Sequence, residues 1–237
     1  MSRFSFRLLT CILAITVSEI FAQDNTGQEK AIPEKAAVDT TRKLPTGIRF
    51  AYDALGPLNA ALGADTRAHE FAVDTDFGKY FLTAEFGTSK RSTTIPDGAY
   101  TNSGTYFRIG ADVNFLRKDP DRNMFFLGAR YGRAVYDETL SYLADTEFGP
   151  QTLRAENSRL QSGWLELTTG LKVRVFRIFW MGYTARMKFA PSTPDNSRLV
   201  PYDIPGYGLT FKKPWWGFSY YVMMRIPFTG EGKASGR

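Results

Sequence analysis

The chain has 237 residues, with 19 phenylalanines, 12 tyrosines, one cysteine, one histidine and a formal net charge of +6. That length suits one domain once an export leader is removed, and because the lone Cys11 lies inside that leader, the mature chain excludes disulfides, thiolate chemistry and cysteine-ligated zinc. Loss of Arg3, Arg7 and Glu19 with the leader leaves a charge near +5, and the basic residues are spread rather than clustered, which suits anionic lipid headgroups and not nucleic acid.

Arg3 and Arg7 precede the apolar run Leu8 to Val17, and Phe21-Ala22-Gln23 supplies a small residue at the expected cleavage point. Residues 1–22 therefore read as a secretory signal peptide. About ten apolar residues are too few to cross about 30 Å of hydrocarbon as a helix, and no later segment does better. Leu8-Leu9-Thr10-Cys11 superficially resembles a lipoprotein box but lies within the apolar run, so no lipid anchor is expected. Residues 23–45 are polar and lack a sustained apolar period, the composition of a disordered periplasmic tether.

From Thr46 the pattern changes to a period of two. The runs expected as strands are Thr46 to Leu55, Arg67 to Phe77, Lys79 to Thr88, Gly104 to Leu116, Asn123 to Tyr136, Leu160 to Phe176, Phe179 to Phe189 and Trp216 to Phe228. Phe77-Gly78-Lys79, Asp119-Pro120-Asp121 and Arg177-Ile178 read as tight turns, whereas Gly56 to Thr66, Ser89 to Ser103, Asp137 to Arg159 and Ala190 to Trp215 read as long loops. Eight strands with short turns at one end and long loops at the other predict an all-β fold. The specific expectation is an eight-stranded antiparallel up-and-down transmembrane β-barrel over residues 46–228, in the outer membrane, with a flexible tail at 229–237. A soluble lipocalin-like binding barrel is the alternative, since it too is exported and eight-stranded.

The two faces of each run differ in kind. Ile48, Phe50 and Tyr52 share one face, as do Leu82, Ala84 and Phe86; Phe107, Ile109, Ala111, Val113 and Phe115; Leu165, Leu167, Leu171, Val173 and Val175; and Phe218, Tyr220, Val222, Met224 and Ile226. The opposite faces carry Arg49, Asp53, Asp74, Asp76, Glu85, Arg108, Asp112, Arg130, Glu166, Lys172, Arg174, Arg186, Lys188 and Arg225. Phe77, Tyr80, Phe115, Phe125, Phe179, Trp180 and Phe228 lie beside the short turns, where an interfacial aromatic girdle belongs. Eight strands enclose only enough room for side chains. Charges of both signs at that range must pair, because breaking one buried pair costs about 3–5 kcal/mol, so the expected lumen is a salt-bridge plug and not a pore.

Little in the chain points to catalysis. His69 would need a serine such as Ser89 or Ser162 and an acid such as Glu70 to act on lipid A or phospholipid, and no nucleophile motif accompanies it. No metal-ligand spacing and no phosphate loop occurs, Gly206-Tyr207-Gly208 lying in a Pro-rich loop, so neither cofactor, metal nor small-molecule substrate is expected. Pro214-Trp215-Trp216 and the Leu199 to Leu209 stretch with Tyr202 and Tyr207 combine rigidity with aromatics, a composition enriched at interface hot spots. These are the candidate partner-binding loops. For Trp215 and Trp216 an outer aromatic girdle is an equal reading.

The runs Phe77-Gly78-Lys79-Tyr80-Phe81-Leu82-Thr83-Ala84-Glu85-Phe86-Gly87, Gly104-Thr105-Tyr106-Phe107-Arg108-Ile109-Gly110-Ala111-Asp112 and Met124-Phe125-Phe126-Leu127-Gly128-Ala129-Arg130-Tyr131-Gly132 resemble an uncharacterised family of Bacteroidota outer-membrane barrels. The resemblance covers Ile48 to Tyr142 and implies a non-enzymatic barrel. Small barrels of this kind serve as accessory subunits of larger outer-membrane machines, so the implied partners are outer-membrane lipids and other outer-membrane proteins.

Overall fold

In the computed structural model, residues 45–147, 149–189, 191–192, 199–211 and 214–228 are described. The expected signal peptide, tether and tail fall outside them, apart from Pro45. Strands β1 (Gly47–Asp53), β2 (Thr66–Phe77), β3 (Tyr80–Ile95), β4 (Gly98–Asn114), β5 (Met124–Thr146), β6 (Gly149–Phe176), β7 (Phe179–Phe189) and β10 (Trp215–Pro227) pair antiparallel, each with its sequence neighbours in the ring. Pairing of β1 with β10 closes the barrel. A short helix α1 (Leu55–Ala61) follows β1, and a small hairpin of β8 (Asp203–Ile204) and β9 (Gly208–Leu209) lies between β7 and β10.

The barrel has two unlike ends. The Gly78-Lys79 turn, the Phe115 to Asn123 connection and the Arg177-Ile178 turn lie at one, together with the first residue of β1 and the last of β10. At the other, here called the mouth, two expected loops are absent. Ser89 to Ser103 is the paired tip of β3 and β4, turning at Pro96-Asp97, and most of Asp137 to Arg159 is the paired continuation of β5 and β6, with a bulge beside Tyr136. Apolar alternation stops there, but Ser, Thr and Tyr still suit an extended ladder whose backbone groups pair. Period two in hydropathy thus marks only the part of each strand with one apolar side. The 54–65 connection is also structured, since α1 packs on β2 beyond the end of β1.

Glycines at inward positions admit the large rings. Gly87 lies directly opposite Tyr106, Gly104 opposite Tyr136, Gly132 opposite Trp164 and Gly170 opposite Phe126. A Cβ on Gly132 would stand 2.3 Å from the Trp164 ring, and one on Gly87 the same distance from the Tyr106 ring. The Tyr106, Trp164 and Phe126 rings therefore lie over their cross-strand glycines, as in aromatic rescue of strand glycines, whereas Gly104 is crowded by the Cβ of Tyr136 and not by its ring. The outward faces carry no such packing: Phe71, Leu82, Ile109 and Phe218 are between half and three-fifths exposed. Exposed Phe77, Tyr80, Phe115, Phe125, Phe179 and Phe228 surround the turn end. Trp180, expected among them, is instead buried inside with Ala72, Tyr221 and Met223, because its parity on β7 matches that of Arg186.

Candidate functional site

Strand register assembles the interior. It sets Arg49 opposite Asp74, Glu85 opposite Arg108, and Glu166 opposite both Arg130 and Lys188. Near the turn end, Asp74 takes Arg49 Nε at 2.6 Å and Lys172 Nζ at 2.8 Å. The Arg49 guanidinium lies over the Phe81 ring at 4.8 Å, and Lys172 over Phe126 at 5.1 Å, so both cations have an aromatic face where water would otherwise be. Further in, Arg186 bridges Glu85 at 2.9 Å, Glu166 at 3.2 Å and Glu70 at 3.3 Å. Arg108 pairs with Glu70 and reaches Glu85 at 3.2 Å, while Arg130 holds Asp112 at 2.7 Å. Glu70 also accepts the Tyr106 hydroxyl at 2.6 Å and the Tyr221 hydroxyl. Five carboxylates (Glu70, Asp74, Glu85, Asp112 and Glu166) thus face five cations (Arg49, Arg108, Arg130, Lys172 and Arg186). Burying an ion costs several kcal/mol unless it is paired and hydrogen-bonded, which is why register sets opposite signs side by side in this network; buried Asp53, Glu138, Lys188 and Asp203 lie outside it.

A hairpin packs into the mouth. Ile204 and Tyr207 of the β8–β9 hairpin are fully buried against Tyr106, Ala134, Tyr136, Leu160 and Trp164, and Trp215 packs against that cluster. Lys188 Nζ donates to the carbonyl oxygens of Gly206 at 2.7 Å and Tyr207 at 3.1 Å. Asn102 Nδ2 donates to the Asp203 carbonyl at 2.8 Å, and Arg91 Nε lies 3.3 Å from the Asp203 carboxylate. Gly206 has a φ of +79°, and a Cβ there would stand 2.5 Å from the Tyr106 ring, so the position demands glycine twice over. Burial raises the Asp203 carboxyl above its ordinary range, more than the attraction of Arg91 and Lys188 lowers it. Above the hairpin, buried Glu138 accepts the Tyr100 hydroxyl at 2.9 Å and the Asn157 amide at 2.8 Å. Burial first, and Glu138 second, push the Tyr100 hydroxyl well above its usual range. A cavity of about 210 Å³ lies among α1, β2, β10 and the hairpin, with Asp53, Glu70, Arg91, Arg108, Arg186 and Lys188 in its walls.

Of the residues singled out in the sequence, Arg49, Asp74, Glu85, Arg108, Asp112, Arg130, Glu166, Lys172 and Arg186 meet in the interior network. Asp53 is buried but accepts the backbone amides of Leu55 at 3.1 Å and Tyr220 at 2.9 Å, fixing the end of β1. Asp76 and Arg225 form a looser pair at 3.6 Å at the turn-end rim. Arg174 does not join them: it shares the parity of Lys172 and stands opposite Trp180, but it lies at the turn-end limit of the regular β6–β7 ladder, where it is exposed and its Nε donates to the Arg177 carbonyl at 2.8 Å. Among the loop aromatics, Tyr202 and Trp216 are exposed, Tyr207 is wholly buried and Trp215 partly so. The Leu199 to Leu209 stretch is therefore largely an inward plug. Glu70, the hub of the network, was legible only as a carboxylate of the right parity on β2, and the strand's weak alternation before Phe71 hid it.

The set that a hydrolase would need is not brought together. His69 lies outside, its Nδ1 2.8 Å from the exposed Tyr52 hydroxyl, while Glu70, Ser89 and Ser162 are buried within. The parity of adjacent residues on β2 forces this separation. Among the described residues no group of three or more His, Cys, Asp or Glu side chains could hold a metal, and no helix is long and apolar enough to cross a membrane, which says nothing of strands.

A family model described as a domain of unknown function, DUF6048, matches residues 1–231. The chain belongs to the DUF6048 family. No curated protein and no solved structure matches it. What sets this DUF6048 chain apart is a ring with an apolar outer face, a charged interior and a hairpin packed into one end.

Proposed function

We propose that the mature protein is an integral barrel of the bacterial outer membrane, exported by the signal peptide and sealed against conduction. Its role is that of a structural or accessory subunit of a larger outer-membrane assembly, in keeping with the resemblance to Bacteroidota barrels. The observation that carries this reading is the inversion of faces: large apolar side chains point outward all around the ring, while ten paired charges fill its interior. A soluble barrel gains its stability by burying the apolar set. Here that set gains nothing unless hydrocarbon covers it. With both ends of the barrel segment at the turn end, that end faces the periplasm and the mouth faces outward. Partner contacts then belong to the protruding β3–β4 and β5–β6 tips and to Val200, Tyr202 and Phe211, which remain exposed at the mouth.

Fractionation tests the core of the reading. The mature chain should remain with outer membranes through a carbonate wash and run faster on a semi-native gel before boiling than after. Release into the soluble fraction without detergent, with no heat-dependent shift, would overturn it.

A further inference from the structure

We infer that the outward face of β2 and β3 near the mouth binds the phosphates of lipopolysaccharide through Arg67 and Lys90, an inference that rests on the outer-membrane reading above. The two cations stand directly opposite each other in the ladder, and both are exposed. Like charges so placed destabilise a strand pair unless an anion screens them. Neither cation has an ion pair or side-chain hydrogen bond among the described residues. Nearby carboxylates are engaged elsewhere: Asp137, reached through Ser103 in the ladder, takes the Arg159 amide at 2.7 Å, and Asp65 takes the Thr93 hydroxyl at 3.2 Å.

What lies beneath the pair identifies the anion. One outward step toward the turn end, His69, Thr88 and Thr105 form a row across three strands, and one step further Phe71, Phe86 and Phe107 form another, all six exposed. Apolar rings, then hydroxyls and an imidazole, then cations follow one another over about 13 Å of strand. That is the order of acyl chain, sugar and ester level, and phosphate in a phosphorylated glycolipid. A phosphopeptide or free phosphate would match only the last row. Because the mouth faces outward in this reading, the lipid is that of the outer leaflet.

The test uses full-length mature protein reconstituted in phosphatidylethanolamine vesicles, with binding of fluorescent diphosphoryl lipid A read by energy transfer from the protein's tryptophans. At about a fivefold loss per removed charge, the doubly substituted R67A/K90A protein should bind about twenty-five-fold more weakly. Unlabelled dephosphorylated lipid A should compete about as poorly against wild type. Unchanged binding by the double variant, or equal competition by dephosphorylated lipid A, overturns the inference. Equal competition by phosphatidylglycerol also overturns it, since the site would then read any anionic lipid. Both substitutions are exposed, and a heat-dependent gel shift in each sample shows that the barrel is folded. A wild-type chain that fails to enter the vesicles overturns the outer-membrane reading itself, a result distinct from insertion without discrimination.

Discussion

Glu70 shows how much one interior side chain can hold. It accepts from Tyr106 and Tyr221 and pairs with Arg108 and Arg186, joining β2 to β4, β7 and β10 across the lumen. Glu70→Ala would leave two buried guanidinium groups sharing fewer carboxylates. The expected cost is about 3–5 kcal/mol, measured as a lower urea midpoint of the heat-modifiable form in detergent, whereas replacing the exposed Arg174 should move that midpoint by less than about 0.5 kcal/mol equivalent. An equal effect of the two would mean that the central network contributes nothing. Most of these partners were legible, because parity alone assigns a strand residue to one face. Arg174 was misassigned because parity does not say how far along the barrel a residue lies, and this one sits at the exposed turn end where its side chain reaches the Arg177 carbonyl; Tyr207 was misassigned because an aromatic in a Pro-rich loop reads the same whether it points to solvent or into the barrel.

At the scale of elements, β8 and β9 form a plug whose docking has an identifiable lock and an identifiable strain. Lys188 and Asn102 hold the hairpin's carbonyl groups, and Gly206 lets its backbone lie against Tyr106. Gly206→Ala should undock the hairpin while leaving the ring intact, seen as faster amide exchange at residues 203–209 and unchanged heat modifiability. Asp203 adds a pH dependence of known sign. Its carboxyl is raised above 3.8 by burial, so the docked state favours the protonated form; docking is tightest below that value and weakens as pH rises through the higher docked value. Exchange at 203–209 should accelerate over that interval in wild type and lose this dependence in Asp203→Asn. Slower exchange on raising the pH, beyond the intrinsic chemical trend, would contradict the sign. None of this could be read from hydropathy, since the hairpin's two buried apolar residues, Ile204 and Tyr207, are too few to make a period.

For the molecule as a whole, two obstructions lie one behind the other along the ring. The hairpin occupies the mouth beside the cavity walled by Glu70, Arg108 and Arg186, while nearer the turn end the charge network and the cluster of Phe81, Met124 and Phe126 occupy the narrow ring independently of it. Side chains rooted on the strands cannot swing aside as a loop can, because each is held by partners from at least one other strand. Loop length gave a misleading picture between β3 and β4 and between β5 and β6, where the asymmetry of the ring lies in strands that continue past the apolar band. Two expectations follow for planar-bilayer recordings. Wild-type protein should show no stable openings. Replacing residues 199–211 with a short Gly-Ser linker should also give none, even though it exposes the mouth. Discrete large-conductance openings in the linker variant alone would make the hairpin the only seal and assign the protein a gated channel, whereas openings in wild type would remove the sealed-subunit reading altogether.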